Sequence, residues 1–310
     1  RRGYHVPHAN DPRAAGRARQ PHRCRGGRRT ATVFPLAPAA EQATEPPVGQ
    51  LGSAAEPLHY RIELDIDPSR ARFAGNVAID IAIRQPTRTI WLQGKNLDVT
   101  DVYLLQDGER IAATYEQTLE SGVSQVSLLQ PAKAGQATLS FTYDAPFNTS
   151  ANALFKVTRD GKSYAATQFQ PIGARQVFPG FDEPGFKVPF DLTLIARAGD
   201  VVVTTTPEAS ATALGDGRVA HRFETTRPLP TYLIAIAVGP YDVVDYGAIP
   251  ATGIRTRALP LRAIAAAGSG DKLEYALANT DGILAVLENY FGTPYPYKKL
   301  DLVAVHGSLD

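Results

Sequence analysis

Three observations predict a mainly β chain, an antiparallel sheet or sandwich followed late by one helix and one more strand. The first is a period of two. Leu58, Tyr60, Ile62, Leu64 and Ile66 alternate with His59, Arg61, Glu63, Asp65 and Asp67, the pattern of a strand with one buried and one wet face. The second is the recurrence of short apolar runs separated by Gly, Pro, Asp or Asn, with no helical segment between them. The third is that a convincing helical period first arises at Asp271 to Phe291.

Taken in order, Phe73, Val77, Ile79, Ile81 and Ile83 form a second alternating face opposite Asn76, Asp80 and Arg84, and Asp67-Pro68-Ser69 supplies the turn that pairs this run with the first. Further strands are predicted at Thr89 to Leu92, Asp98 to Leu105, Ile111 to Leu119, Val123 to Leu129 and Ala137 to Tyr143. After an irregular middle they resume at Val188 to Ala196, Val201 to Thr206, Arg218 to Thr226, Tyr232 to Val238 and Ile254 to Leu259. In the helix, Leu273, Leu277, Leu284, Leu287 and Phe291 share a wide apolar face, which predicts a packed element rather than a surface one. Asp271 with Glu274 reads as a capping box, and Gly292 followed by Pro294 as the stop. Lys299 to Val305 reads as a last strand.

The composition is that of a globular protein, with 310 residues, 44% hydrophobic and 20% charged. No apolar run approaches the roughly 20 residues that cross a bilayer, so no membrane span is predicted. A single cysteine, Cys24, excludes an internal disulfide and any Cys-rich metal site. It leaves the compartment open. Charge is uneven: Arg1 to Thr30 carries nine Arg and one Asp, net +8, which leaves the other 280 residues at −7 against a total of +1. This head, rich in Pro, Gly and Ala, reads with the Ala/Pro/Glu linker as a disordered segment spanning residues 1–57. An anion-binding arm is the alternative, and no nucleic-acid partner is expected of the folded part. There is no methionine and the first residue is Arg1, so upstream sequence is expected to be missing.

Constellations for chemistry are sparse. His59, His221 and His306 are isolated, and no His-Glu-x-x-His pair, Gly-x-Ser-x-Gly elbow, phosphate loop or dinucleotide fingerprint is present. The dense segment is Thr167 to Phe190, TQFQPIGARQVFPGFDEPGFKVPF, which sets Gln168, Gln170, Arg175, Gln176, Asp182, Glu183 and Lys187 among five phenylalanines. Its charges are expected to pair, Asp182 or Glu183 with Arg175 or Lys187, and to hold the loop on the sheet.

This segment resembles the signature T-Q-x-[EQ]-P...A-R...F-P-x-F-D-E-P of the aminopeptidase N family of zinc peptidases. The resemblance extends through Leu58 to Ile66, Tyr232 to Tyr241 and Phe291 to Val305. It implies a saddle-like N-terminal β domain, here residues 58–252, and the first helix and strand of a thermolysin-like catalytic domain, residues 253–310. It also implies that Gln170, and beside it Gln168, receive the free α-amino group of a peptide substrate. The family's zinc ligands and general base follow the Lys299 to Val305 strand, past Asp310. The chain is therefore expected to be an N-terminal fragment of a zinc aminopeptidase, with no catalytic residue and no bound metal of its own, inactive alone; zinc and peptides with a free N-terminus belong to its parent. A stand-alone β-sandwich binding module is the alternative, against which the late helix and strand would have no sheet to join.

Overall fold

The computed structural model describes residues 45–305, so the basic head and its expected disorder lie outside the described residues. The chain runs through β1 (Ala55–Asp65), β2 (Arg72–Ile83), β3 (Thr87–Gln93), β4 (Asp98–Gln106), β5 (Glu109–Gln117), β6 (Val123–Ala132), β7 (Gly135–Pro146), β8 (Ala153–Arg159) and β9 (Lys162–Gln168). It continues through β10 (Phe190–Arg197), β11 (Val201–Thr204), β12 (Glu208–Ala213), β13 (Arg218–Phe223), β14 (Ile236–Gly239), β15 (Tyr241–Ile249), β16 (Leu259–Ala266), α1 (Glu274–Phe291) and β17 (Leu300–Val303). The fold is mainly β with one late helix, as the periodicity predicts.

Ten strands form one sheet in the order β12-β13-β10-β1-β2-β7-β4-β5-β6-β3, in which every pairing is antiparallel except β1 with β10. The predicted first hairpin is present: Ser69 donates its amide (3.0 Å) and hydroxyl (2.6 Å) to Asp67 Oδ1, an Asx turn that reverses the chain into β2. A second sheet, β11-β14-β9-β8, is antiparallel throughout, and a third, β15-β16-β17, pairs β16 and β17 in parallel. One core joins the alternate side chains of the first sheet, such as Tyr60, Ile62 and Leu64, to Leu154, Ile236 and Val238 of the second. A smaller cluster, Tyr164, Val203, Ala237, Tyr241, Ile264 and Ala266, joins the second sheet to the third.

Several elements depart from expectation. The irregular middle contains the β8–β9 hairpin, whose turn places Asp160 and Gly161 at φ 50° and 74°. The run Ile254 to Leu259 is a loop rather than a strand, with the strand beginning at Leu259 and ending at Ala266. Tyr232 lies within a short helical turn, Thr231–Leu233, and β14 starts only at Ile236. The linker does not reach Pro57 either: β1 starts at Ala55, and Leu51 is already buried. Strand β12 has no alternating pattern; its side chains are exposed throughout.

The helix departs in two ways. No capping box forms; Gly270–Leu273 is a tight helical turn leading into α1, whose N-cap position is Leu273 without a side-chain cap. Asp242 of β15 takes over the task, its Oδ2 accepting from the amides of Gly268, Ser269 and Gly270 at 2.7, 3.1 and 3.2 Å. A carboxylate at a helical start satisfies orphan donors and favours the dipole. Nor is the whole apolar face of α1 packed. Leu277 and Leu284 are buried with Leu259, Leu261 and Ala263, while Ile283, Val286, Leu287, Tyr290 and Phe291 are exposed. Gly292 closes the helix at φ 62°, the left-handed stop the sequence predicts.

What locks the helix in place is a buried ion pair. Arg255 Nε donates to Glu288 Oε1 at 2.9 Å with both side chains nearly inaccessible, and the guanidinium also donates to the carbonyls of Pro250 and Arg257. Removing one partner of such a pair strands the other's charge. Arg255→Met is expected to lower unfolding stability by about 3–5 kcal/mol, whereas Val286→Thr on the exposed face changes it by less than about 0.5 kcal/mol. Urea denaturation of the two variants measures this, and equal losses would contradict it.

Candidate functional site

Between β9 and β10 lies a long connection without a strand, much of it buried, and it is the segment singled out in the sequence. Its phenylalanines anchor it. Phe169, Phe178, Phe181 and Phe190 are buried, with Phe178 edge-on to both Tyr60 and Phe169 (centroids 6.2 and 6.1 Å) and Phe190 stacked on Tyr60 at 4.8 Å. Such aromatic pairs add to the area they bury. Gly173 lets the chain double back: its amide donates to Phe169 O at 2.6 Å, and a Cβ there would lie 2.8 Å from Gln168 O.

The expected charge pairing is Arg175 with Asp182, both buried. Arg175 Nε donates to Asp182 Oδ2 at 2.9 Å, and its two terminal nitrogens donate to the carbonyls of Ser121 and Asp182, each at 3.0 Å. Asp182 Oδ1 accepts from the Thr231 hydroxyl, and the Asp182 amide donates to Gln93 Oε1 at 2.7 Å. Glu183 is not paired with a lysine. Its Oε1 accepts from the Leu51 amide at 2.7 Å and from Gln93 Nε2 at 3.2 Å, and Lys187 is exposed. Tyr60 OH accepts from the Phe181 amide at 2.8 Å, and burial pushes its phenol well above the usual tyrosine range. Gln93, Tyr60 and Thr231 carried no sequence signal as loop partners, because the contacts span roughly 50 to 120 residues.

On this fixed base Gln168 and Gln170 stand exposed, Gln168 as the last residue of β9 and Gln170 two residues on, before the cis peptide bond to Pro171. Neither side-chain amide has a hydrogen-bond partner among the described residues. The residue before them, Thr167, lies in register with Ile236 of β14, exchanging hydrogen bonds with its amide and carbonyl, and borders a cleft of about 400 Å³. The far wall of the cleft carries Tyr295, Tyr297, Lys299 and Asp301. Lys299 Nζ donates to Thr204 O at 2.7 Å and contacts Asp301, which also takes a two-pronged bond from Arg262 at 2.9 Å. Burial pushes the Lys299 ammonium below its ordinary value. For Asp301 burial acts upward, but the hydrogen bonds from Arg262 and Lys299 outweigh it and hold the carboxyl below its ordinary value.

Among the described residues, no group of three His, Cys, Asp or Glu side chains is placed to hold a metal ion. His59 lies 3.1 Å from Asp191 and 3.9 Å from Asp80, and His221 lies 3.0 Å from Glu208, on strands of the large sheet. His306 lies outside the described residues. These residues do not fit a zinc centre.

Residues 56–233 match the Peptidase M1 N-terminal domain. The chain belongs to the M1 aminopeptidase N family. Aminopeptidase N of Acetobacter pasteurianus is 30% identical over 267 residues, covering 84% of this chain and 72% of the relative. Endoplasmic reticulum aminopeptidase 1 of Rattus norvegicus is 28% identical over 261 residues, and Aminopeptidase M1-B of Oryza sativa subsp. japonica 27% over 260. This M1 chain covers 27% and 29% of those two relatives' lengths.

Two outcomes test this account of the M1 loop and its neighbouring cleft. Asp182→Asn keeps the shape but weakens the acceptor facing buried Arg175, and is expected to destabilise the chain by about 3–5 kcal/mol, read as a lowered urea midpoint; an unchanged midpoint would contradict it. Asp301 is held below its ordinary value when folded, so its stabilisation is complete above the unfolded value of about 3.9 and is lost as pH falls through the folded value. Stability is therefore expected to drop on acidification below about pH 4, with a shallower drop in Asp301→Asn. Superimposable profiles would remove Asp301 from the explanation.

Proposed function

We propose that this chain is the N-terminal part of a zinc-dependent aminopeptidase, and that it contributes the surface on which the substrate's free α-amino group is received. The observation that carries the reading is the pair Gln168 and Gln170: two exposed amides without internal partners, on a loop whose base is fixed by the buried Arg175–Asp182 pair. An ammonium has three N–H donors and needs acceptors. A side-chain carbonyl oxygen held in place by a rigid base supplies one at little ordering cost. Family membership supports the same reading, since the relatives named above are aminopeptidases.

Zinc, in this reading, belongs to the parent enzyme, where it would activate the attacking water. Its ligands come from outside residues 45–305. Gln168 and Gln170 bind and orient; they move no proton. The boundary between the β domain and the start of the catalytic domain is proposed to fall between residues 252 and 253, in the loop that Arg255 organises.

In the complete enzyme, Gln170→Ala is expected to raise KM for an aminoacyl p-nitroanilide about 10- to 100-fold, the loss of one hydrogen bond to a charged group of roughly 1.5–3 kcal/mol, with a smaller change in kcat. Gln170→Glu, which adds a charge complement, is expected to lower KM. The 310-residue chain by itself is expected to show no chelator-sensitive hydrolysis of the same substrate. An unchanged KM in Gln170→Ala would remove the amine-binding role; chelator-sensitive turnover by the chain alone would remove the assignment of the metal ligands to other residues.

A further inference from the structure

A second cleft, of about 310 Å³, opens where the segment before β17 crosses the ends of β11 and β13. Three cationic side chains line it, Arg227, Arg257 and Lys298, against one carboxylate, Glu224, which is held by Lys298 Nζ at 2.6 Å. The lining therefore has an excess of two positive charges. Among the described residues neither arginine is paired with an acid. Arg227 Nη1 reaches only the Pro296 carbonyl at 3.4 Å, and Arg257 Nη2 only the Tyr297 carbonyl. A guanidinium has five N–H donors in a rigid fork; in both residues most of the fork has no acceptor among the described residues.

Four threonines also line it; Thr206 and Thr225 donate their hydroxyls to Glu224 O and Asp191 Oδ1, while the other two accept. Thr205 Oγ1 accepts from the Ala235 amide at 3.2 Å and Thr226 Oγ1 from the Phe190 amide at 2.9 Å, so each keeps its own proton to donate. Like-charged guanidinium groups sharing one concavity repel each other unless an anion lies between them. We propose that this cleft binds a phosphoryl group, as free phosphate or a small phosphomonoester, between Arg227 and Arg257. Such a group carries about −1.5 to −2 charges near neutral pH and three acceptor oxygens, which match the charge excess and the forked donors; a carboxylate, with one charge and two oxygens, leaves half of the excess unanswered. The site is separate from Gln168 and Gln170, which do not line it.

Isothermal titration of the 310-residue chain with inorganic phosphate, at ionic strength fixed with chloride, tests this. Saturable one-site binding is expected, weakened about tenfold or more in the double variant R227Q/R257Q and unchanged in Lys187→Gln, an exposed lysine outside the cleft. Both arginines are exposed, so a matching urea midpoint establishes that the double variant is folded. Glycerol 2-phosphate in place of phosphate distinguishes the sources: tighter binding points to a monoester, weaker binding to the free ion, and either upholds the site. Absence of saturable binding, or equal binding by R227Q/R257Q and the unaltered chain, would overturn it.

Discussion

The Arg175–Asp182 pair is the constraint on which the rest of this structure turns. Of the 21 residues between β9 and β10, most of the stretch from Gly173 to Asp182 is buried, and a buried loop must satisfy every amide and charge it brings. Arg175 and Asp182 do this for each other at 2.9 Å and extend the network to Ser121, Gln93 and Thr231. Those partners come from β6's approach, the end of β3 and the turn before β14. One ion pair thus ties together strands distant in sequence. A buried pair is weak evidence for net stability, because desolvation opposes the Coulomb attraction. What it provides here is position: the loop has one arrangement in which no charge is stranded.

That arrangement bears on the proposed role of the two glutamines. Exposed glutamines are ordinarily solvated and mobile, and ordering them for a ligand costs side-chain entropy. Gln168 and Gln170 flank Phe169, a buried aromatic, and precede Gly173, where the chain folds back on Phe169 O. The backbone beneath them is fixed even though their amides are free. The proposed amine-binding role draws on this form, rigid support with unsatisfied acceptors at its tip.

Much of the fold was legible in the sequence wherever burial imposes a period. β1 and β2 alternate because one face packs on the core, and their strands and turn are found where Leu58 to Ile83 predict them. The loop's charge pair was legible as well, since buried carboxylates among phenylalanines need a cation. What was not legible lacks a period or depends on distant partners. β12 is exposed throughout and holds its place by backbone pairing with β13. The start of the helical segment is capped by Asp242, 26 residues before the first amide it serves, so a local capping box at Asp271 was the wrong inference from sound local chemistry. The exposed apolar side of α1 was misread for a similar reason: sequence shows a wide apolar face, while only the opposing strands determine which part of it is covered.

Hydrogen exchange comparing the unaltered chain with Arg175→Met tests most directly whether this pair positions the loop. Faster exchange confined to the amides of residues 169–183 and Leu51, with β2 and β7 still protected, is the predicted result: the sheet keeps its own ladder while the loop loses its anchor. Unchanged protection across residues 169–183, or loss of protection spread evenly over the large sheet, would contradict the account.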